Sequence, residues 1–264
     1  LHKIMLSFVL MLESILNPLH TNWFTWWITV LCALVTGLSK SGLKGFAMIN
    51  IPILAYLYGG MASVGILLPF LIFGDTFAVI YYSRNAKWKY IKILLPWALL
   101  GVVLATFVGK YINDDQFRDT IGVAILVCLV IIIYKDYSGK KDSFTDKKWF
   151  STSLGLSGGF ATMIGNAAGP IFNLYLMSMR LPKNSFIGTG AWFYLMLNVL
   201  KVPIHVFYWK SITASTFQLN LVMLPVLLVG AFTGKQLVKL IPEKAYRFFV
   251  LGVIAISAVL LFFK

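Results

Sequence analysis

Residues 37–45 run Gly37-Leu-Ser-Lys-Ser-Gly-Leu-Lys-Gly45, and residues 162–170 run Thr162-Met-Ile-Gly-Asn-Ala-Ala-Gly-Pro170. Each is a glycine-broken polar stretch set inside apolar sequence, with segments 23–38 and 45–58 around the first and 149–164 and 167–180 around the second. A spanning helix needs about 20 mainly apolar residues, whereas about 10 to 14 suggest a re-entrant or interfacial piece. The four segments are short by that standard. Working outward, segments 61–82, 91–112, 117–134, 185–208, 217–238 and 245–263 are each long and apolar enough to cross. An N-terminal piece, 4–16, is apolar apart from Ser7, Glu13 and Ser14 and suits an interfacial helix or a peripheral span. It lacks the small-residue cleavage site of a signal peptide.

Composition agrees with this pattern. Of 264 residues, 59% are apolar and 12% charged, where soluble domains have about half and about a quarter. That excludes a soluble enzyme and a disordered chain. A disulfide-stapled domain is excluded too, because Cys32 and Cys128 are the only cysteines and both sit in apolar runs. There are 23 Lys and Arg against 9 Asp and Glu, a formal excess of +14, but no basic stripe follows a soluble amphipathic pattern, so nucleic acid is not an expected partner. The lipid bilayer is. An all-α polytopic membrane protein forming a single transmembrane domain over 1–264 is the expected class.

The second half restates the first. Without gaps, 94–135 aligns on 223–264, placing Pro96 on Pro225, Gly101 on Gly230, Lys110 on Lys239, Arg118 on Arg247 and Lys135 on Lys264. Gly37-Leu38-Ser39 matches Gly155-Leu156-Ser157, and Pro52 and Pro170 each follow the first glycine by the same interval. Gly65 falls on Gly188, Phe70 on Phe193 and Asp75 on Asn198. Two pseudo-symmetric repeats, about 23–135 and 149–264, are therefore expected, joined by a cytoplasmic linker at 136–148. Loops 83–92, 135–148 and 235–247 are rich in Lys and Arg and belong inside, whereas loop 113–119 holds Asp114, Asp115 and Asp119 and fits the outside. If each short pair enters and leaves by one face, every repeat has three full spans plus a re-entrant pair and the repeats are inverted. If one member of each pair crosses fully, the repeats are parallel with four spans each. The short segments favour the inverted arrangement.

A charge at the bilayer centre costs roughly 2.5–3.5 kcal/mol on insertion scales, so intramembrane charges mark function. Asp75 is the one acid deep inside an expected span, against Lys40, Lys44 and Lys201. That balance favours an anionic substrate. A helix N-terminus carries partial positive charge and unpaired N–H donors. Breaks at 37–45 and 162–170 would present two such termini near the midplane, with Ser39, Lys40, Ser41, Gly42 and Lys44 from one and Gly165, Asn166 and Gly169 from the other. Asn198, Lys201 and His205 share one face of 185–208, with Thr189 and Asn198 as donors and Lys201 as charge. Asp75 and His205 are the candidates for proton coupling, His because it titrates near neutrality, although Asp75 also suits a structural pair with an internal lysine and His205 a solvated interface.

These motifs resemble the sulfite exporter family (TauE/SafE, also called the toluene sulfonate uptake permease family). The resemblance is carried by Gly37 to Gly45 leading to Pro52 and by Gly165-Asn-Ala-Ala-Gly-Pro170. It continues in Leu181-Pro-Lys-Asn184, Thr189-Gly-Ala-Trp-Phe193, Asn198 and Lys201-Val-Pro203. It covers roughly 23–264 and is less specific in the first half, whose glycines are sparser than the family's usual run. The resemblance implies secondary transport of sulfur-containing anions or small organic acids across the bacterial inner membrane, by a fold of seven or eight spans in two homologous halves.

The leading expectation is thus a secondary active transporter of sulfite, a sulfonate or a related oxyanion, working by alternating access. An anion channel or a carrier of a small carboxylate is the alternative. An integral-membrane enzyme is not expected, because the three His lie far apart and a single deep acid offers no dyad; no cofactor or metal is expected either.

Overall fold

The computed structural model describes residues 22–108 and 148–260. The expected span 117–134, the N-terminal piece 4–16, loop 113–119 and nearly all of the linker 136–148 lie outside the described residues. Within them the chain is helical: α1 (Trp23–Lys40), α2 (Asn50–Tyr58), α3 (Gly60–Tyr82), α4 (Trp88–Val108), α5 (Lys148–Gly165), α6 (Gly169–Ser178), α7 (Lys183–Pro203), α8 (Ala214–Leu240) and α9 (Glu243–Leu260). Among the described residues four stretches are long and apolar enough to cross a membrane: Met61–Asn85, Trp88–Phe107, Lys183–Tyr208 and Ala214–Leu240. Their outward faces expose Ile80, Val103, Phe107, Val229 and Phe232, an apolar surface that water would not tolerate and lipid does.

Local chemistry sets the helix ends. Asn22 caps α1 by accepting from the Thr25 amide at 2.8 Å, and Thr213 and Thr216 form a reciprocal capping box at the start of α8. Pro170 stands in the first turn of α6, where its missing N–H costs nothing. The first member of each short pair is longer than the sequence suggested. Both α1 and α5 have 18 residues, about 27 Å at 1.5 Å per residue. Gly37 does not break α1; the helix runs on to Lys40, whose charge is met inside the protein. The break falls instead at Ser41 to Gly45, where Gly45 takes φ 105°, a conformation that side chains resist.

Packing interlocks the two halves. α1 runs alongside α8, and α5 alongside α4, each pair parallel and closely apposed. A methyl group added at Gly37 would collide with the Leu227 carbonyl and the Ala231 amide, and one at Gly155 with Trp97 and the backbone of Leu94 and Ala98. Gly230 abuts Leu34 while Gly101 abuts Leu156; Gly65 meets Ser211 while Gly188 meets Tyr82. Positions equated by the internal alignment therefore make matching backbone contacts, each with the other half. α3 and α7 cross antiparallel, since Gly65 lies against Ser211, Asp75 against Asn198 and Tyr82 against Gly188.

Where α7 ends, Pro203 is followed by a widened turn, Ile204–Tyr208, in which the Trp209 amide donates to the Ile204 carbonyl at 2.8 Å. Such widenings re-aim side chains within a helix. His205 lies in this turn, buried, with its Nδ1 2.8 Å from Ser211 Oγ.

Candidate functional site

The tips of the two broken pairs approach each other around a cavity of about 50 Å³. Ser39, Lys40 and Lys44 line it from the first tip, Asn166 and Gly169 from the second, and Asn198 from α7. About 10–15 Å³ accommodates one water centre, so the space suits a few waters or one compact oxyanion.

Lys40 is buried, and its ammonium meets the Asp75 carboxylate at 2.9 Å. The same oxygen, Oδ2, accepts from the Asn198 amide at 2.9 Å, while Oδ1 is buried without a partner. The Lys40 Nζ also stands 4.5 Å from the Tyr194 ring centroid, within cation–π range. Asp75 and Asn198, equated by the internal alignment, thus touch one another directly. Lys44 is buried as well and donates to the Lys40 carbonyl at 3.2 Å, so it does not snorkel to an interface. Among the described residues Lys40–Asp75 is the one ion pair.

Lys201 is fully buried and lies behind the cavity wall. Its ammonium donates to the Thr162 carbonyl and hydroxyl, each at 2.9 Å, and to Asn166 Oδ1 at 2.8 Å. Three acceptors saturate its three donors. Because Oδ1 of Asn166 is taken, the amide presents its Nδ2 edge, which makes a long 3.4 Å contact with the Val64 carbonyl. Asn166 itself sits at φ 54°, which Asn tolerates better than most residues.

The remaining sequence candidates lie elsewhere. Ser41 Oγ donates back to the Gly37 carbonyl at 3.0 Å, and Gly42 packs on Val238. Gly165 ends α5. Thr189 donates to the Ser185 carbonyl at 2.6 Å and accepts from the Lys87 amide at 2.9 Å; it pins loop 83–87 and does not border the cavity. His205 is buried, not solvated, with Nδ1 2.8 Å from Ser211 Oγ and Nε2 unpartnered. The amides of Phe46 and Met48 bond the Leu43 and Gly45 carbonyls, so the first tip offers fewer free donors than expected and relies on its lysines.

Thr162, Asn173 and Tyr194 also line the cavity, and the sequence did not single them out as ligands. Tyr194 donates to the Gly169 carbonyl and Asn173 Oδ1, each at 3.2 Å. Its position four residues before Asn198, on the same helical face, was the available signal. No three His, Cys, Asp or Glu side chains converge as a metal site among the described residues.

Within this buried cluster Lys40, Lys44 and Lys201 face one acid, Asp75. Uncompensated buried charge is costly. A protein-family model described as Sulfite exporter TauE/SafE matches residues 28–261. No curated protein and no solved structure gives a significant match.

Proposed function

Since the chain belongs to the sulfite exporter TauE/SafE family, a family of membrane transporters, we propose that it carries a compact sulfur oxyanion, sulfite foremost, by secondary active transport. The observation that carries this reading is the cavity of about 50 Å³ between the two broken tips, faced by Lys40 and Lys44 and by the neutral donors Ser39, Asn166 and Asn198. Lysines supply charge, and amide and hydroxyl groups supply direction. Its size favours a three-oxygen headgroup over a long organosulfonate.

The reading includes inverted repeats in a multi-pass arrangement of the bacterial inner membrane. Equivalent helices α3 and α7 run antiparallel, as a two-fold axis in the membrane plane requires; parallel repeats would run them the same way. The Asp75–Asn198 contact lies where that axis would pass, because a residue meets its own equivalent only on the axis. Rocking of the interlocked halves about this point would open the cavity to each face in turn.

Coupling to protons, in this reading, centres on Asp75. It touches Lys40 and Asn198, which both line the cavity, so an anion that draws Lys40 away leaves the carboxylate needing a proton. His205 touches no cavity-lining group.

Proteoliposomes test the proposal. Sulfite flux is expected to saturate, to respond to an imposed pH gradient, and to fall sharply in Lys40→Ala and Asn166→Ala. Unimpaired flux in both variants would remove the site. Flux that stays linear with concentration, with single-channel currents, would indicate a channel.

A further inference from the structure

Both broken tips meet one side chain, that of Tyr194 on α7. It is buried and lines the central cavity. The Lys40 ammonium stands over its ring, 4.5 Å from the centroid, and the Lys44 ammonium 5.7 Å from it. Both distances fall within the roughly 6 Å over which an aromatic ring attracts a cation. The hydroxyl reaches the other way. Its single O–H is shared between the Gly169 carbonyl and Asn173 Oδ1, each at 3.2 Å. Phe172 and Phe193 pack around the ring, with centroids 5.8 and 5.9 Å from its own. One helical turn further on, Asn198 donates to Asp75 Oδ2, the oxygen that meets Lys40. One face of α7 therefore holds Lys40 twice, through the carboxylate and directly through the ring.

The two holds differ chemically. A carboxylate neutralises an ammonium and occupies one of its N–H donors, so it competes with a substrate anion for the same group. A carbonyl also occupies a donor, as the Lys40 carbonyl does for Lys44. An aromatic face attracts the cation through its quadrupole. It brings no net charge, and its pull needs no lone pair aimed at a particular N–H. The ring can thus fix two ammonium groups without spending what an anion would bind. We propose that Tyr194 is a positioning residue for the substrate anion. Its ring holds the Lys40 and Lys44 ammonium groups at the cavity with donors to spare, and its hydroxyl anchors the start of α6 opposite them. This assignment rests on the anion-carrier reading of the central cavity and names the residue that poises its charge.

Sulfite is titrated calorimetrically into purified wild type, Tyr194→Phe and Tyr194→Leu, and sulfite flux is measured in proteoliposomes. Both variants lose the hydroxyl, and only the second loses the ring. Tyr194→Phe is expected to bind sulfite within about twofold of wild type, with a lower thermal midpoint because Gly169 and Asn173 lose their donor. Tyr194→Leu should weaken sulfite about tenfold, the loss of one desolvated cation–π contact, and raise the half-saturating concentration for flux by the same factor. A merely structural role would lower the number of competent chains and the maximal flux, and leave the dissociation constant unchanged. That pattern, or equal sulfite affinity in the two variants, overturns the proposal. A ligand-free arm separates the ring contact from the carrier reading. The thermal midpoints of both variants are compared in wild type and in a Lys40→Met/Asp75→Leu background, where one cation is gone. The extra loss in Tyr194→Leu over Tyr194→Phe should shrink there, and an unchanged difference overturns the proposal even if sulfite binds. A difference that shrinks in a protein that binds no sulfite would support the ring contact and remove the sulfite reading.

Discussion

Lys40 and Lys201 are two ammonium groups buried around one cavity, one from each half of the chain, and they are held in different ways. Lys40 meets an acid at 2.9 Å and still faces the cavity. Lys201 meets three neutral oxygens at 2.8–2.9 Å and does not. In the proposed function the first exchanges its carboxylate for the substrate anion, a replacement of like charge. The second has no donor left and acts by fixing Asn166. Burial alone does not make a lysine a ligand; what its donors already hold decides.

That comparison breaks most readily at Asp75. Asp75→Ala strands the Lys40 charge and should lower stability by about 3–5 kcal/mol, while removing both charges together in Lys40→Met/Asp75→Leu costs far less. Thermal unfolding in detergent measures both, and equal losses would mean that the pair carries no mutual dependence. Lys201→Met should cost about 1–3 kcal/mol, by leaving acceptors at Thr162 and Asn166 unmet. Its flux defect should resemble that of Asn166→Ala, as expected of a residue that acts through another.

The interlocking of the halves predicts matched effects. Gly37→Ala and Gly155→Ala should each cost about 1–3 kcal/mol through overpacking against backbone, and by similar amounts. Gly252, with nothing within 4 Å of an added methyl, should tolerate Ala to within about 0.5 kcal/mol. A large difference between Gly37 and Gly155 would weaken the case for equivalent contacts. The smallest effect is expected at His205: His205→Gln should leave the pH dependence of flux unchanged, whereas Asp75→Asn should flatten it. The reverse would move coupling to the far end of α7.

Much of this is legible in the amino-acid sequence. The helices at 61–82, 185–208 and 217–238 follow from apolar length, and the broken tips from glycines beside charge. Lys40, Lys44, Asn166 and Asn198 stood out because polar groups in apolar runs are costly. Other features were not legible, for physical reasons. Gly37 looked like a helix breaker, but a glycine serves equally for close approach, and only the neighbour α8 decides between the two. Lys201 shares a helical face with Asn198, yet the two side chains meet different helices, a distinction that periodicity does not carry. Asn173 and Tyr194 are ordinary residues until α6 and α7 converge. His205 looked interfacial from its place near the end of a span; its burial depends on Ser211 beyond the helix, a contact that periodicity does not carry.

The central claim is that an oxyanion sits between the two tips, held by lysine charge. Calorimetric titration of sulfite into purified protein, wild type and Lys44→Met, tests it most directly. Lys44 lines the cavity and has no acid within ion-pair distance among the described residues, so its loss removes a charge-assisted contact worth about 1.5–3 kcal/mol. The account predicts one site per chain in the wild type and binding weakened by at least about tenfold in the variant. Undiminished sulfite affinity in a correctly folded Lys44→Met protein would contradict it.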